Sequence, residues 1–241
     1  VSARLAAAFL AIAAAAAPAP SAQDEDARVR AGIEAALRYP TIHSSLGPLE
    51  TPLPLDVADF LLDHPDASAW LVRKRRLAPY RITMIGPNRS LADDGAGARG
   101  DITLAERGTG RRVYYGEGTY RTRIFPTVHA GAVITMLIEP VRRPGCRESV
   151  RTTFAVDVRL RNWALAGLVK ALRPFLRDTV IRKFSKAFLV AHQIGELIDQ
   201  DPAGVFAELA SCPLLREPDR AALRALEAGI RGGPPSCPPP R

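Results

Sequence analysis

One junction constrains the fold of this chain more than any other: a strictly alternating segment that runs straight into a long amphipathic one. Val150, Thr152, Phe154, Val156, Val158 and Leu160 alternate with Arg151, Thr153, Asp157, Arg159 and Arg161. That is the period of a strand with one face turned inward. No proline interrupts it, so it can sit inside an antiparallel ladder. From Asn162 to Gln200 the period becomes helical. Leu165, Leu168, Leu172, Phe175, Leu176, Val180, Phe184, Phe188, Ile194 and Ile198 form one apolar stripe, with Lys170, Arg173, Arg177, Arg182, Lys183 and Lys186 mostly beside or opposite it. Asn162 can cap the start, and Asp201-Pro202 marks the stop, because the residue before a proline is pushed out of the helical region. Pro174 inside the stripe predicts a kink or a short helix feeding a long one. A helix of this length needs a broad apolar partner, and the strands before it are the candidate.

The middle of the chain supplies those strands. Tyr80, Ile82 and Met84 alternate with Arg81, Thr83 and Ile85, a turn follows at Gly86-Pro87-Asn88, and Ile102 and Leu104 begin the next strand after a turn-rich patch from Asp93 to Gly100. Gly108-Thr109-Gly110 marks a hairpin loop. Beyond it Tyr114, Gly116, Gly118, Tyr120, Thr122 and Ile124 share one face, with Arg112 at its rim and Glu117 opposite. Ala132, Ile134, Met136 and Ile138 alternate with Val133, Thr135 and Leu137, which predicts a central strand apolar on both sides. Before the strands, a short helix fits Asp24 to Tyr39, the segment Ser44 to Pro54 reads as a linker or an extended crossing segment, and Leu55 to Leu77 reads as two helices broken at His64-Pro65. Asp56 or Asp59 can serve the first turn of one, and Asp66 can cap the other. The run Arg73-Lys74-Arg75-Arg76 suits the negative end of the second helix. After the long helix, Pro202 to Leu209 and Pro218 to Ile230 predict two short helices, and Gly232 to Arg241 a disordered Pro-rich tail.

The first segment stands apart from the fold. Arg4 gives a short basic region, Leu5 to Ala17 is an apolar run of about a dozen residues, and Pro18 to Ala22 supplies small residues suited to processing after Ala22. Residues 1–22 are therefore expected to be a cleaved signal peptide, and the mature protein to be periplasmic or secreted. The formal net charge of +8 then falls to +7 as Arg4 leaves. In an exported protein that surplus points to anionic lipid head groups or cell-surface polymers rather than nucleic acid, or simply to a soluble basic surface. Of the three cysteines, Cys212 and Cys237 could tie the tail to the last helices in an oxidising compartment, leaving Cys146 free.

Taken together the elements predict an α+β fold: a curved antiparallel sheet gripping a long C-terminal helix, with extra short helices at both ends. The order resembles the helix-grip fold of the START-like, SRPBCC superfamily, which includes polyketide cyclase-like proteins. The resemblance spans about Leu55 to Pro202. It rests on the helical pair Asp56–Arg76, the Gly116–Gly118 strand, the last strand ending in Leu160-Arg161-Asn162, and the helix beginning at Trp163. It implies a domain over 55–201, flanked by an N-terminal helix and linker at 23–54 and short helices at 202–231. Members of that superfamily hold hydrophobic ligands between sheet and helix, and some catalyse cyclisation or hydrolysis there. The exported location and the chain beyond Asp201 depart from the commonest members.

An apolar ligand needs an apolar lining with a few polar groups to orient it. The inward faces offer Tyr114, Gly116, Gly118, Tyr120, Met136 and Phe154 from the sheet and Trp163, Leu168, Leu172 and Phe175 from the helix. The same residues could equally fill a core. No catalytic residue is assigned, and no metal or cofactor is implied. His43, His64, His129 and His192 lack metal-ligand spacing, no Gly-x-Ser-x-Gly occurs, and Asp93, Asp94 and Asp101 read as a polar turn. The leading expectation is an exported carrier of a hydrophobic small molecule or lipid of the bacterial envelope. It would meet an anionic membrane surface peripherally through the long helix and Arg73–Arg76, with no nucleic-acid partner. The alternatives are a cyclase- or hydrolase-type enzyme using Tyr114, Tyr120 or His192, and a non-catalytic envelope interaction protein with a filled core.

Overall fold

A computed structural model describes residues 22–121, 127–161 and 166–237, without the side chains of residue 22 and residues 166–176. The described chain is α+β, with seven strands and six helices. In order they are α1 (Ala22–Arg38), β1 (Ile42–Thr51), α2 (Leu55–Asp63), α3 (Pro65–Lys74), β2 (Arg81–Gly86), β3 (Arg89–Asp93) and β4 (Ala98–Gly108). Then come β5 (Arg111–Tyr120), β6 (Val128–Val141), β7 (Ser149–Leu160), α4 (Ala166–Gln200), α5 (Pro202–Ala210) and α6 (Glu217–Gly232). The strands form one open sheet in the order β1-β7-β6-β5-β4-β3-β2, every neighbour antiparallel. From β2 to β7 each strand lies beside the next, and β1 closes the order by pairing with β7 across more than a hundred residues.

That pairing corrects the expected linker. Ser44 and Leu46 face Val156 and Phe154 in register, and the ladder slips between Leu46 and Leu49, where the Gly47-Pro48 peptide is cis. A proline is tolerated there because β1 is an edge strand with one unpaired side. The irregularity broke the sequence alternation, so a true strand looked like a connector. The short strand β3, between the Gly86-Pro87-Asn88 turn and the turn-rich patch from Asp93, was likewise not foreseen.

Helices lie on both faces of the sheet. On one, Val29 and Ala36 of α1 pack against Val113, Tyr115 and Val133. Ion pairs fasten this helix: Arg28 to Glu117 at 3.0 Å and Arg89 to Glu25 at 2.8 Å. Glu117 also accepts from the Tyr115 hydroxyl at 2.7 Å; burial first, then that carboxylate, pushes Tyr115 up to about 12. The other face carries α2, α3 and α4, with α5 and α6 packed behind them. Val190, Ile194 and Ile198 of α4 join Leu53, Val57, Leu71, Phe206 and Leu223 in the largest core. Burying each such side chain stabilises the fold by roughly 1.5–3 kcal/mol. Further along α4, Val180 and Phe184 pack against Ile42, Val156 and Val158.

The stripe therefore does face the sheet from Val180 onward. The helix is continuous across Pro174, not a short helix feeding a long one. The expected cap at Asn162 lies outside the described residues, as does the expected signal segment through residue 21. At its other end α4 comes close to β1: a Cβ on Gly195 would lie 2.1 Å from Thr51 Cγ2, so only glycine fits the crossing. Asp201 ends α4 and caps α5 by accepting from the Gly204 amide at 2.9 Å, with Pro202 in the first turn.

Two cysteine expectations are overturned. Cys146, in the loop between β6 and β7, is bonded to Cys237, with Cα atoms 5.5 Å apart, whereas Cys212 is a free thiol at 0 % exposure between α5 and α6. Apolar packing makes Cys212 a core residue rather than a tether. Nor is the tail loose as far as Cys237. The Arg147 amide donates to Pro235 O at 2.7 Å and Ser236 Oγ to Asp199 at 2.5 Å.

Candidate functional site

Between the sheet, the α2–α3 pair and α4 lies an apolar cavity of about 450 Å³. Its floor is built by period-two side chains: Ile82 and Met84 of β2, Ile102 and Leu104 of β4, Tyr114 of β5, Ile134 and Met136 of β6, Phe154 of β7. Alternation puts these on one face and sends Thr83, Tyr115, Val133 and Arg151 to the other. Helix α4 roofs it with Phe184, Ala187, Phe188 and Ala191, and Leu61, Leu62, Ser68 and Val72 of α2 and α3 form a wall. Phe188 meets Phe154 edge-on with ring centres 4.8 Å apart, a favourable aromatic geometry that pins the roof to the floor. Ala187 and Ala191 are exposed although they line the cavity, which places an opening along that side of α4. Two alanines one turn apart leave room where longer side chains would close it.

The charged lining residues gather at one end. Asp63 at the end of α2, Arg107 of β4 and Tyr114 all line the space. Behind them Arg112, 3 % exposed, donates to Asp63 at 2.5 Å and to Asp59 at 2.6 Å. Arg107 grips the same Asp63 carboxylate from the rim, Nη1 to Oδ2 at 3.1 Å and Nη2 to Oδ1 at 2.9 Å. Two guanidinium groups thus face two carboxylates, which is what permits Arg112 to be buried. Burial pushes the Tyr114 hydroxyl up, only partly offset by the charge of Arg112 nearby. Tyr80 is pushed up as well, by burial and then by the charge of Asp94. Both phenols are therefore held as neutral hydrogen-bond donors.

The structure sorts the sequence-selected residues. Tyr114, Met136 and Phe154 line the cavity; Gly116, Gly118 and Tyr120 do not. Gly118 stands opposite Gly100 of β4, and a Cβ there would lie 2.4 Å from Arg99 O, so it serves close contact between two strands. Gly116 shares that face, with Asp101 O at ordinary contact distance from where its Cβ would be. Tyr120 packs beside Val158 and Phe184, with Lys183 Nζ 4.7 Å from its ring centre. Trp163 and the side chains of Leu168, Leu172 and Phe175 lie outside the described residues. Arg112, expected at the rim, is buried.

Sequence reasoning passed over Asp63 and Arg107. Neither carries a local signal, because each becomes a site residue only when α2 meets the β4–β5 hairpin. Phe184 and Phe188 were in the stripe, but their cavity role needed the sheet as partner.

Other candidates resolve into structural roles. His192 Nδ1 lies 3.3 Å from Thr51 Oγ1 and its Nε2 3.4 Å from Glu196, at the α4–β1 crossing. Asp93, Asp94 and Asp101 pair with Arg99, Lys183 and Arg89. Among the described residues no three His, Cys, Asp or Glu side chains are grouped to hold a metal ion, and no helix is long and apolar enough to cross a membrane. The basic run at the end of α3 is engaged within the fold in part, with Lys74 and Arg76 exposed. Arg73 donates to Tyr80 O at 2.5 Å, Arg75 pairs with Glu208 at 2.7 Å, and Lys74 lies over the Trp70 ring at 4.7 Å.

No family model matches the chain, and no curated protein matches it. Among solved structures it is similar to a conserved protein from Geobacillus kaustophilus, at 12% sequence identity and a TM-score of 0.43, over 65% of this chain and 95% of that one. A likeness of that size says nothing about the cavity.

Proposed function

We propose that this chain is an exported carrier or binding protein for a hydrophobic, lipid-like molecule of the bacterial envelope, held in a helix-grip-like space between the sheet and α4. The observation that carries the reading is the cavity itself. At about 450 Å³ it falls in the ~300–1,000 Å³ range of small-molecule sites. Its walls are mostly aliphatic and aromatic, with the charged groups at one end only. A filled core is disfavoured by that space. Export is supported by the disulfide between Cys146 and Cys237, a bond characteristic of oxidising compartments, together with the leader-like first segment. The contact with anionic membrane is carried by α4, where Arg182 and Lys186 are exposed beside Ala187, together with the exposed Lys74 and Arg76 at the end of α3.

The test is purification from an oxidising compartment, solvent extraction and native mass spectrometry, followed by titration with a fluorescent apolar probe. A bound amphiphile or stoichiometric probe uptake is expected, with uptake lost in Ala187→Trp, whose indole fills the opening. Protein that is folded yet empty and takes up no probe rejects the reading.

A cyclase- or hydrolase-type activity in the same cavity is the second reading, favoured by one observation: Tyr114 and Asp63 share the polar end. Tyr120 and His192 are outside the cavity, so Tyr114→Phe alone would abolish such an activity.

A further inference from the structure

On the carrier reading above, we propose that the cavity selects single-chain amphiphiles with a carboxylate head, held at Arg107 and Tyr114 with the chain running toward Phe154 and Phe188. The inference comes from which hydrogen-bonding groups at the polar end are already used. Both oxygens of Asp63 are engaged by guanidinium groups, Oδ1 by Arg112 and Oδ2 by Arg107. Asp59, which accepts through Oδ1 from the other terminal nitrogen of Arg112, does not line the cavity. An amine or ammonium head would meet two arginines and no open carboxylate. Donors are what remain. Arg107 spends two nitrogens on Asp63, is about half exposed, and keeps further N–H groups at the rim of the cavity. Tyr114 lines the same end, and burial keeps its hydroxyl neutral, so it too can donate to a ligand. A planar, acceptor-only head suits a guanidinium fork plus one hydroxyl.

The geometry also sets direction. From Arg107 and Tyr114 the lining turns apolar at once, through Leu104 and Met136 to Phe154 and Phe188 under α4. An amphiphile bound the other way round would set its head near the opening at Ala187 and Ala191, with the hydroxyls of Thr51 and Thr152 but without the guanidinium fork. The carboxylate therefore belongs beside α2 and the β4–β5 hairpin, and the chain beneath the roof.

Three ligands of equal chain length test this on the full folded protein: dodecanoate, dodecanol and dodecylamine, each displacing a fluorescent apolar probe. Dodecanoate is expected to bind at least tenfold tighter than either of the others, since a hydrogen bond to a charged group is lost with the head. Arg107→Met should remove that preference while leaving dodecanol within about twofold, because Asp63 keeps Arg112 as partner. Arg107→Lys should retain part of it, and Tyr114→Phe should lower dodecanoate binding alone. Equal affinity for the three heads, with uptake intact, overturns the head-group assignment and leaves the carrier reading standing. Loss of all three ligands alike in Arg107→Met also overturns it, since the arginine would then only hold the wall. Failure of wild-type protein to bind any of them ends the carrier reading as well.

Discussion

The disulfide offers the sharpest check on the tertiary arrangement, because its effect can be worked from the chain path. Cys146 and Cys237 are separated by 91 residues, and the ring they close contains β7, α4, α5 and α6. In the chain-entropy description, cross-linking a loop of that length removes denatured-state freedom worth about 4.6 kcal/mol at 25 °C. With an unfolding entropy of roughly 2 cal/mol/K per residue, a unit of roughly 200 residues should then melt about 10 °C lower without the bond. The assay is far-UV circular dichroism melting with and without a phosphine reductant, alongside Cys237→Ser and Cys146→Ser. All three perturbations should give the same loss, and the variants should be insensitive to reductant. Denatured, unreduced protein should titrate one thiol, Cys212, and reduced protein all three. Cys212→Ser should keep its sensitivity to reductant, although a hydroxyl in that apolar site lowers its melting point overall. A change below about 2 °C on reduction refutes the entropy argument. Sensitivity abolished by Cys212→Ser but kept by Cys146→Ser refutes the pairing, and with it the anchoring of the tail beside Asp199.

Removing the buried guanidinium in Arg112→Met should destabilise the fold by about 3 kcal/mol in urea denaturation, by stripping Asp59 and Asp63 of their shared partner; adding Asp59→Asn and Asp63→Asn should restore most of it, and a single-variant loss under about 1 kcal/mol would show the cluster to be dispensable. Gly195→Ala gains about 1 kcal/mol of helix propensity but drives a methyl into Thr51, so a net loss of about 1–2 kcal/mol is expected; Thr51→Ser, which deletes the offending Cγ2, should relieve it, and a stabilised Gly195→Ala protein would contradict the crossing. Acid should weaken the fold through three carboxyls held below their ordinary range. Glu50 is lowered by the Arg143 hydrogen bond, while in Asp94 and Glu117 burial acts upward and is outweighed, by Lys183 and the Ala96 and Ala98 amides in one and by Tyr115, Arg161 and Arg28 in the other. A depressed folded-state pKa stabilises above the unfolded value, about 4 for these groups, and that stability is lost as pH falls through the folded one. Melting temperature should be level from about pH 5 to 7 as far as these groups contribute and fall below about 4, less steeply in Glu50→Gln; an unchanged slope in that variant would remove Glu50 from the account.

Local periodicity carried a good part of the architecture. The alternation in β2, β5, β6 and β7 and the stripe of α4 depend on side chains a few residues apart, so the sequence alone identified these elements and the faces they bury. The α2–α3 break at His64-Pro65 followed from the same local chemistry, since a proline cannot continue a helix. The expectation that the stripe meets the sheet holds from Val180 onward, although the helix residue that meets Phe154 is Phe188, whereas the sequence pointed to Trp163, Leu168, Leu172 and Phe175.

What stayed hidden depended on partners distant in the chain. Strand β1 has an irregular pattern around Gly47-Pro48 and becomes a strand only through β7. Gly118 looked like space for a ligand, yet the backbone of β4 fills it. Cys146 and Cys237 share no motif, and only the fold brings them within bonding distance. The polar end of the cavity joins Asp63 from α2, Arg107 from β4 and Tyr114 from β5, three elements that local spacing cannot bring together. Sequence by itself determined which side chains turn inward, because that is a matter of period. Whether inward-facing residues close into a core or leave a space is a matter of how far apart the sheet, α3 and α4 are held. Only the tertiary structure decided that, and at Ala187 and Ala191 it left the space open.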